Sequence, residues 1–106
     1  MTLIETKIFT QQITGLMGDS EYRILQNELL TNPKAGDVIE HSGGLRKIRF
    51  GIKGKGRGKR GGIRIIYFYH EVKVRIYLLV SYSKNEKDDL SAKELEILRN
   101  IAKGLK

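Results

Sequence analysis

The sequence contains no cysteine and only two histidines. The absence of cysteine excludes disulfide bonds, zinc sites with thiolate ligands and cysteine nucleophiles. There is no apolar run of about eighteen residues, the length that a membrane-spanning helix needs. The first residues, MTLIETKIF, also lack the basic stretch, apolar core and cleavage site of a secretion signal. We therefore expect a cytoplasmic protein that does not associate with membranes.

The chain has 106 residues, of which 40% are hydrophobic and 30% are charged. A chain of this size can bury roughly two-thirds of the surface that it exposes when unfolded, which is enough for one core. The composition is also unlike that of a disordered segment. We therefore expect residues 1–106 to form a single domain that folds on its own.

The net charge of +8 at pH 7 comes mainly from one segment. Residues 41–70 carry nine basic and no acidic residues, whereas residues 1–40 carry three basic and six acidic residues. A basic patch of this strength favours a polyanionic partner, with nucleic acid ahead of an anionic membrane surface. The acidic first third is expected to face away from it. The nine cations are Arg46, Lys47, Arg49, Lys53, Lys55, Arg57, Lys59, Arg60 and Arg64.

The same segment holds eight of the twelve glycines. Residues 51–62, GIKGKGRGKRGG, have nothing to bury, and ordering so many glycines is entropically costly. They predict a flexible basic loop that contacts RNA or the ribosome through Arg46 on its flank and five cations within it, Lys53, Lys55, Arg57, Lys59 and Arg60. The nucleotide-binding spacing GxxxxGK followed by Ser or Thr is absent.

The first third of the chain predicts a short strand followed by a helical hairpin. Leu3 and Ile4 indicate the strand, and Thr6 is a candidate N-cap for a helix that Gly18 ends. Asp19 is the candidate N-cap of a second helix, which must end before Asn32-Pro33.

The remaining chain predicts strands and a final helix. Runs rich in β-branched and aromatic residues occur at 38–39, 45–50, 63–70 and 72–82, and HEVK between the last two indicates an antiparallel hairpin. Ser91 and Glu94 form a capping box that begins the last helix. The predicted fold class is α+β: a short N-terminal strand, a helical hairpin, an antiparallel three-strand meander and a C-terminal helix.

A cationic cluster is the candidate functional site. The two-residue period of a strand places Lys47 and Arg49 on one face, and Arg64 interrupts an otherwise apolar strand. Tyr82 and Lys84 lie where the last strand ends. These residues come together if the three strands are neighbours.

Such a cluster can bind a phosphodiester and stabilise the charge of a pentacoordinate transition state. A lysine crowded by other cations has a lowered pKa, which makes Lys47 a candidate base toward a ribose 2′-hydroxyl. RNA cleavage of this kind needs no metal, and we expect no metal or cofactor. Asp88 and Asp89 lie just before the Ser91 cap, and we expect their negative charge to stabilise the start of the last helix. His41 and His70 are expected in a loop and at a hairpin end.

The residues alone also fit a protein that binds RNA or the ribosome without chemistry and blocks translation by occupancy. A DNA-binding regulator is disfavoured because no basic recognition helix follows a tight turn.

Three segments together, GGLRKIRF, GKGRGKRGGIRIIYFY and LLVSYSKNEKDDLS, resemble the RelE superfamily and specifically its HigB-like toxins. The resemblance covers residues 20–105. It implies the toxin of a type II toxin-antitoxin system, an endoribonuclease that cuts mRNA on the ribosome. It also implies a helix-turn-helix, HigA-like antitoxin as partner, through which alone the toxin would contact operator DNA.

The resemblance also implies residue roles. The two alternating basic residues of the family's second strand correspond to Lys47, the candidate base, and Arg49. The arginine early in the next strand corresponds to Arg64, so that Arg49 and Arg64 would bind the scissile phosphate. The sequence departs from the pattern at Asn85 and Ser91, where RelE has an arginine acid and a tyrosine. Lys84 or Tyr82 is then the candidate acid.

Overall fold

Five strands and three helices occur in the computed structural model, which describes residues 1–51 and 62–106. The sheet order is β1-β5-β4-β3-β2, with β1 parallel to β5 and the other pairs antiparallel. The predicted α+β class is confirmed, although the meander has four strands because the two-residue β2 joins it. The elements are β1 (Thr2–Glu5), α1 (Lys7–Leu16), α2 (Asp19–Thr31), β2 (Asp37–Val38), β3 (Leu45–Phe50), β4 (Ile63–His70), β5 (Arg75–Ser83) and α3 (Ala92–Leu105).

Local hydrogen bonds set the helix starts. The Thr6 hydroxyl accepts a bond from the Phe9 amide at 3.1 Å, which confirms Thr6 as the N-cap of α1. The prediction of Asp19 as a cap is wrong, because Gly18 is the N-cap of α2. The Glu21 carboxylate accepts a bond from the Gly18 amide at 3.0 Å. The cap therefore lies one residue before the predicted position.

The β4–β5 hairpin is confirmed, but the last strand begins later than predicted. Residues 71–74 form the turn, and β5 begins at Arg75 rather than Val72. Val72 is 89% exposed, and Val74 has a φ of 54°, a left-handed conformation that a strand cannot contain. Val72 and Val74 therefore belong to the turn, although β-branched residues favour strands.

Helices cover both faces of the sheet. The face covered by α1 and α2 buries Phe9, Leu25 and Tyr67 in one core. The opposite face, covered by α3, buries Phe68 and Leu98 in a second core. The sequence predicted the three helices but not their division between the two faces, in which the final helix lies alone on its own face.

The start of α3 follows the predicted capping box. The Ser91 hydroxyl accepts a bond from the Glu94 amide at 3.1 Å, and the Glu94 carboxylate accepts one from the Ser91 amide at 2.8 Å. This satisfies two amides that a helix start otherwise leaves unpaired. Across residues 1–51 and 62–106, none of the helices has the length and apolar character needed to cross a membrane.

Candidate active site

Three strands bring one residue each into a row on the face that α3 covers. Arg49 on β3 pairs with Arg64 on β4, and Arg64 pairs with Tyr82 on β5. Side chains of directly paired residues lie on the same face, with Cβ atoms about 5 Å apart. Lys47 precedes Arg49 by two residues and therefore shares that face. The adjacency on which the sequence prediction depended is confirmed.

Arg64 is buried, with 4% of its surface exposed. Its Nη1 atom donates to the carbonyl of Gly62 at 3.3 Å. The amide of Lys84 donates to the same carbonyl at 3.2 Å, so Gly62 links β4 to the end of β5. A Cβ atom at Gly62 would overlap the Phe50 carbonyl, and only glycine fits there. The guanidinium is therefore held by a tightly packed strand end.

Lys47 forms an ion pair that the sequence did not predict. Its Nζ atom lies 3.3 Å from Oδ1 of Asp89, and the lysine side chain is 20% exposed. The same oxygen accepts a bond from the Leu90 amide at 2.9 Å. The assignment of Asp89 to the helix start alone is thus wrong, because its carboxylate faces the site. The two partners are 42 positions apart in the chain, and no sequence pattern indicated that they would meet.

Tyr82 is 2% exposed, and within the described residues its hydroxyl has no hydrogen-bond partner. Burial, and to a smaller extent the charge of Asp89, raise the pKa of this phenol to about 12, although Arg64 and Arg49 oppose the shift. The phenol is therefore a protonated donor at neutral pH. A buried hydroxyl without a partner is uncommon in folded proteins, and this one belongs to a residue that pairs directly with Arg64.

Lys87 is a further cation at the site that the sequence did not single out. Its Nζ atom lies 5.3 Å from the centre of the Tyr82 ring and donates to Oε2 of Glu94 at 2.5 Å. This hydrogen bond, with one from the Ser91 amide, lowers the pKa of the Glu94 carboxyl. Lys87 therefore connects the capping box of α3 to Tyr82 of the site.

Other predicted site residues lie elsewhere. Lys84 follows β5 with a half-buried side chain that makes no hydrogen bond or ion pair within the described chain. Arg46 lies on the opposite face of β3, where its Nη1 atom donates to the carbonyls of Gly36 at 2.7 Å and Lys34 at 3.3 Å. The five cations of the predicted basic loop, Lys53, Lys55, Arg57, Lys59 and Arg60, lie outside the described residues.

The two histidines occupy the predicted kinds of position. His41 is exposed in the turn before β3, and His70 ends β4, where its Nδ1 atom accepts a bond from the Lys73 amide at 3.2 Å. No group of three or more histidine, aspartate or glutamate side chains that could hold a metal occurs in residues 1–51 and 62–106.

Comparisons with known proteins identify relatives of this chain. The family model described as "RelE toxin of RelE / RelB toxin-antitoxin system" matches residues 25–106. A mutant E. coli toxin RelE in the free state has 14% sequence identity and a TM-score of 0.58, covering 82% of this chain and 86% of that chain. The isolated E. coli RelE toxin has 17% identity and a TM-score of 0.54, covering 94% and 97%. The intact E. coli RelBE toxin-antitoxin complex has 16% identity and a TM-score of 0.52, covering 76% and 92%.

Proposed function

The chain belongs to the RelE toxin family, the toxins of RelE/RelB toxin-antitoxin systems, and we propose that it is a ribosome-dependent endoribonuclease that cuts mRNA and inhibits translation. The observation that carries this proposal is the row Arg49, Arg64 and Tyr82 beside Lys47 on one face of three adjacent strands. Two guanidinium groups, an ammonium and a phenol are thereby placed on one face of the sheet.

The two arginines are the proposed phosphate ligands. Guanidinium groups bind phosphate oxygens through paired, charge-assisted hydrogen bonds. Arg64 is fixed by burial, whereas Arg49 is exposed and can adjust to the ligand. As the 2′-oxygen attacks phosphorus, negative charge builds up on the phosphate oxygens. The arginines therefore stabilise the transition state more than the bound substrate.

Lys47 is the proposed base and Tyr82 the proposed acid. Lys47 takes the proton of the ribose 2′-hydroxyl once its ammonium has lost a proton to solvent, and the 2′-oxygen forms a bond to phosphorus. The bond from phosphorus to the 5′-oxygen breaks, and the phenol of Tyr82 donates its proton to that oxygen. The products are a 2′,3′-cyclic phosphate and a 5′-hydroxyl. Lys84 is the second candidate acid, because Asn85 stands where RelE has an arginine.

The basic glycine-rich segment is the proposed contact with ribosomal or messenger RNA, together with Arg46. Five of its cations occur within eight positions, 53–60, and phosphate contacts dominate affinity for RNA without requiring sequence recognition. This segment also supports placement in the HigB-like branch of the family. The reaction then belongs in the cytoplasm, where ribosomes translate mRNA.

We further propose a cognate, HigA-like helix-turn-helix antitoxin as partner. The support is the family to which the chain belongs and its likeness in fold to the toxin of the E. coli RelBE complex. Any contact with operator DNA is then made through the antitoxin.

The direct test is to add the purified chain to a translating extract and map the 5′ ends of mRNA. A Lys47→Ala variant and an extract without translation are the controls. Cuts within codons that require both translation and Lys47 support the proposed nuclease. Cuts in the absence of translation contradict ribosome dependence.

A second function, occupancy of the ribosome without cleavage, is favoured by one specific observation. Asn85 and Ser91 stand at the positions of the RelE arginine and tyrosine, and Ser91 serves as the cap of α3. Arrest of translation with intact mRNA in the same extract would establish this alternative.

A further inference from the structure

A second cationic cluster lies at the other end of α3 from the candidate active site. It surrounds an open cleft of about 390 Å³ between the turn before β3 and the last turns of the helix. Among residues 1–51 and 62–106, those that line this cleft include no acidic side chain. Its lining residues are Gly43, Arg99, Asn100, Lys103 and Lys106. Arg99 and Lys103 are four residues apart and share one face of α3, and Lys106 follows the end of the helix.

The wall opposite the helix is a turn of fixed shape. Gly43 and Gly44 have φ values of 77° and 103°, which side chains rarely allow. The Ser42 hydroxyl is buried and holds the turn, since it donates to the Ile39 carbonyl at 2.5 Å and accepts from the Leu45 amide at 3.0 Å. A Cβ atom at Gly43 would lie 3.7 Å from Cγ of Arg99, an ordinary van der Waals distance, so it is the positive φ that favours glycine here.

The helix dipole does not account for the whole cluster. Cations in the last turn of a helix offset the partial negative charge there, which explains Lys103. Arg99 lies further from the end, and its Nη1 atom reaches the His41 carbonyl at 3.3 Å. Nearby carboxylates lie outside the lining: Glu40 is 3.8 Å from the His41 imidazole, and Glu96 precedes Arg99 by about one turn.

The position of the cleft relates it to the candidate active site. Leu45 follows the turn directly and begins β3, and Arg49 lies four residues further along the strand. At about 3.3 Å per residue, Leu45 and Arg49 are roughly 13 Å apart along β3. Both border α3, so a single RNA surface can contact them together.

We propose that this cleft is a second anion site that binds a backbone phosphodiester of RNA and orients the protein on the ribosome. The ligand chemistry is that of two ammonium groups and a guanidinium, which neutralise a phosphate without reading a base. This inference rests on the proposed function. Ribosomal RNA and mRNA offer the same phosphodiester, and the experiment separates them.

The test compares two triple variants that lower the net charge equally. The cleft variant is Arg99→Gln, Lys103→Gln and Lys106→Gln; the control is Lys7→Gln, Arg23→Gln and Lys73→Gln, at exposed positions outside the cleft lining. Binding is measured from about 50 to about 200 mM KCl. One arm uses vacant ribosomes, and the other uses a short RNA with 2′-O-methyl riboses, which cannot be cut.

The cleft variant should bind at least one of the two RNAs about tenfold more weakly. Its plot of log affinity against log salt should be shallower by about one for each phosphate that the variant no longer neutralises. The control should change affinity less than twofold. The arm in which affinity falls identifies the source of the phosphodiester. Equal behaviour of both variants, or loss of antitoxin binding alone, would overturn the proposal.

A fold control keeps the test decisive. The double variant Lys103→Gln and Lys106→Gln retains the bond from Arg99 to His41 and should show about two-thirds of the slope change, because it removes two of the three cations. Failure of the proposed nuclease gives a different result: mRNA stays intact while the cleft variant still binds the ribosome more weakly. Cleaved mRNA with an unchanged salt slope would reject the cleft and leave the nuclease standing.

Discussion

The Nζ atom of Lys47 lies 3.3 Å from Oδ1 of Asp89, so a carboxylate occupies the position beside the candidate base that RNA is proposed to reach. A carboxylate and a phosphodiester are both anions and compete for the same ammonium. The negative charge of Asp89 therefore opposes the binding of RNA at Lys47. The loop between β5 and α3 thus helps to determine the affinity of the site.

Replacing Asp89 by Asn should strengthen RNA binding. The amide oxygen retains the bond from the Leu90 amide but no longer competes as an anion for Lys47. We expect about a threefold to fivefold gain in affinity for an uncleavable RNA, the scale of an exposed ion pair. Fluorescence anisotropy measures this. Asp88→Asn changes the net charge equally at the neighbouring exposed position; an equal gain there would show that only net charge matters.

Loss of Lys47 or Arg64 should abolish cleavage. We expect Lys47→Ala and Arg64→Ala to reduce the cleavage rate at least about 100-fold, because one removes the base and the other a phosphate ligand. The 5′-end assay measures this, with exposed Lys73→Ala as control. Arg64→Lys keeps a charge at the buried position and separates loss of chemistry from loss of fold. Toxicity retained by both alanine variants would contradict the site assignment.

Tyr82→Phe should separate activity from stability. Its hydroxyl has no hydrogen-bond partner among the described residues, so removing it should leave the free energy of unfolding unchanged or raise it by up to about 1 kcal/mol. Cleavage should fall about 100-fold if this phenol is the acid. Full activity would transfer that role to Lys84.

The matched control is Tyr67→Phe on the opposite face. The Tyr67 hydroxyl accepts a bond from the Gly36 amide and donates one to the Pro33 carbonyl, both at 2.8 Å. Its removal should lower the free energy of unfolding by about 1–3 kcal/mol in urea denaturation, with cleavage unchanged. The two tyrosines should therefore give opposite results in the two assays.

The cap of α3 should contribute measurably to stability. Ser91→Ala removes the acceptor for the Glu94 amide and should lower the free energy of unfolding by about 1 kcal/mol. Ser20→Ala, at an exposed position in the first turn of α2, serves as control and should change it by less than about 0.5 kcal/mol. Equal losses would mean that the cap bond adds nothing.

The bond between Lys87 and Glu94 should make stability depend on pH. The folded pKa of Glu94 lies below its ordinary value of 4.5, so its contribution is present above pH 4.5 and is lost as pH falls through the lowered pKa. Glu94→Gln should cost at most about 0.5–1 kcal/mol at pH 7, since 41% of the side chain is exposed. Urea denaturation at acidic pH should show this difference shrinking toward zero; Glu96→Gln is the control.

The sequence by itself determined the elements whose signals are local. The caps at Thr6 and Ser91 and the end of α2 before Pro33 depend on neighbouring residues, and the structure confirms each. The two-residue period of β3 likewise placed Lys47 and Arg49 on one face, because that period is a property of the strand. The +8 charge and its concentration in residues 41–70 are also set by sequence.

Only the tertiary structure decided what depends on distant segments of the chain. The parallel pairing of β1 with β5 joins residues 73 positions apart, and the Lys47–Asp89 pair joins residues 42 positions apart. The packing of α3 alone on its own face likewise depends on strands distant in the sequence. The cleft at Gly43 and Arg99 arises in the same way. No local propensity encodes such pairs, because they form only when sheet register and helix packing bring the two segments together.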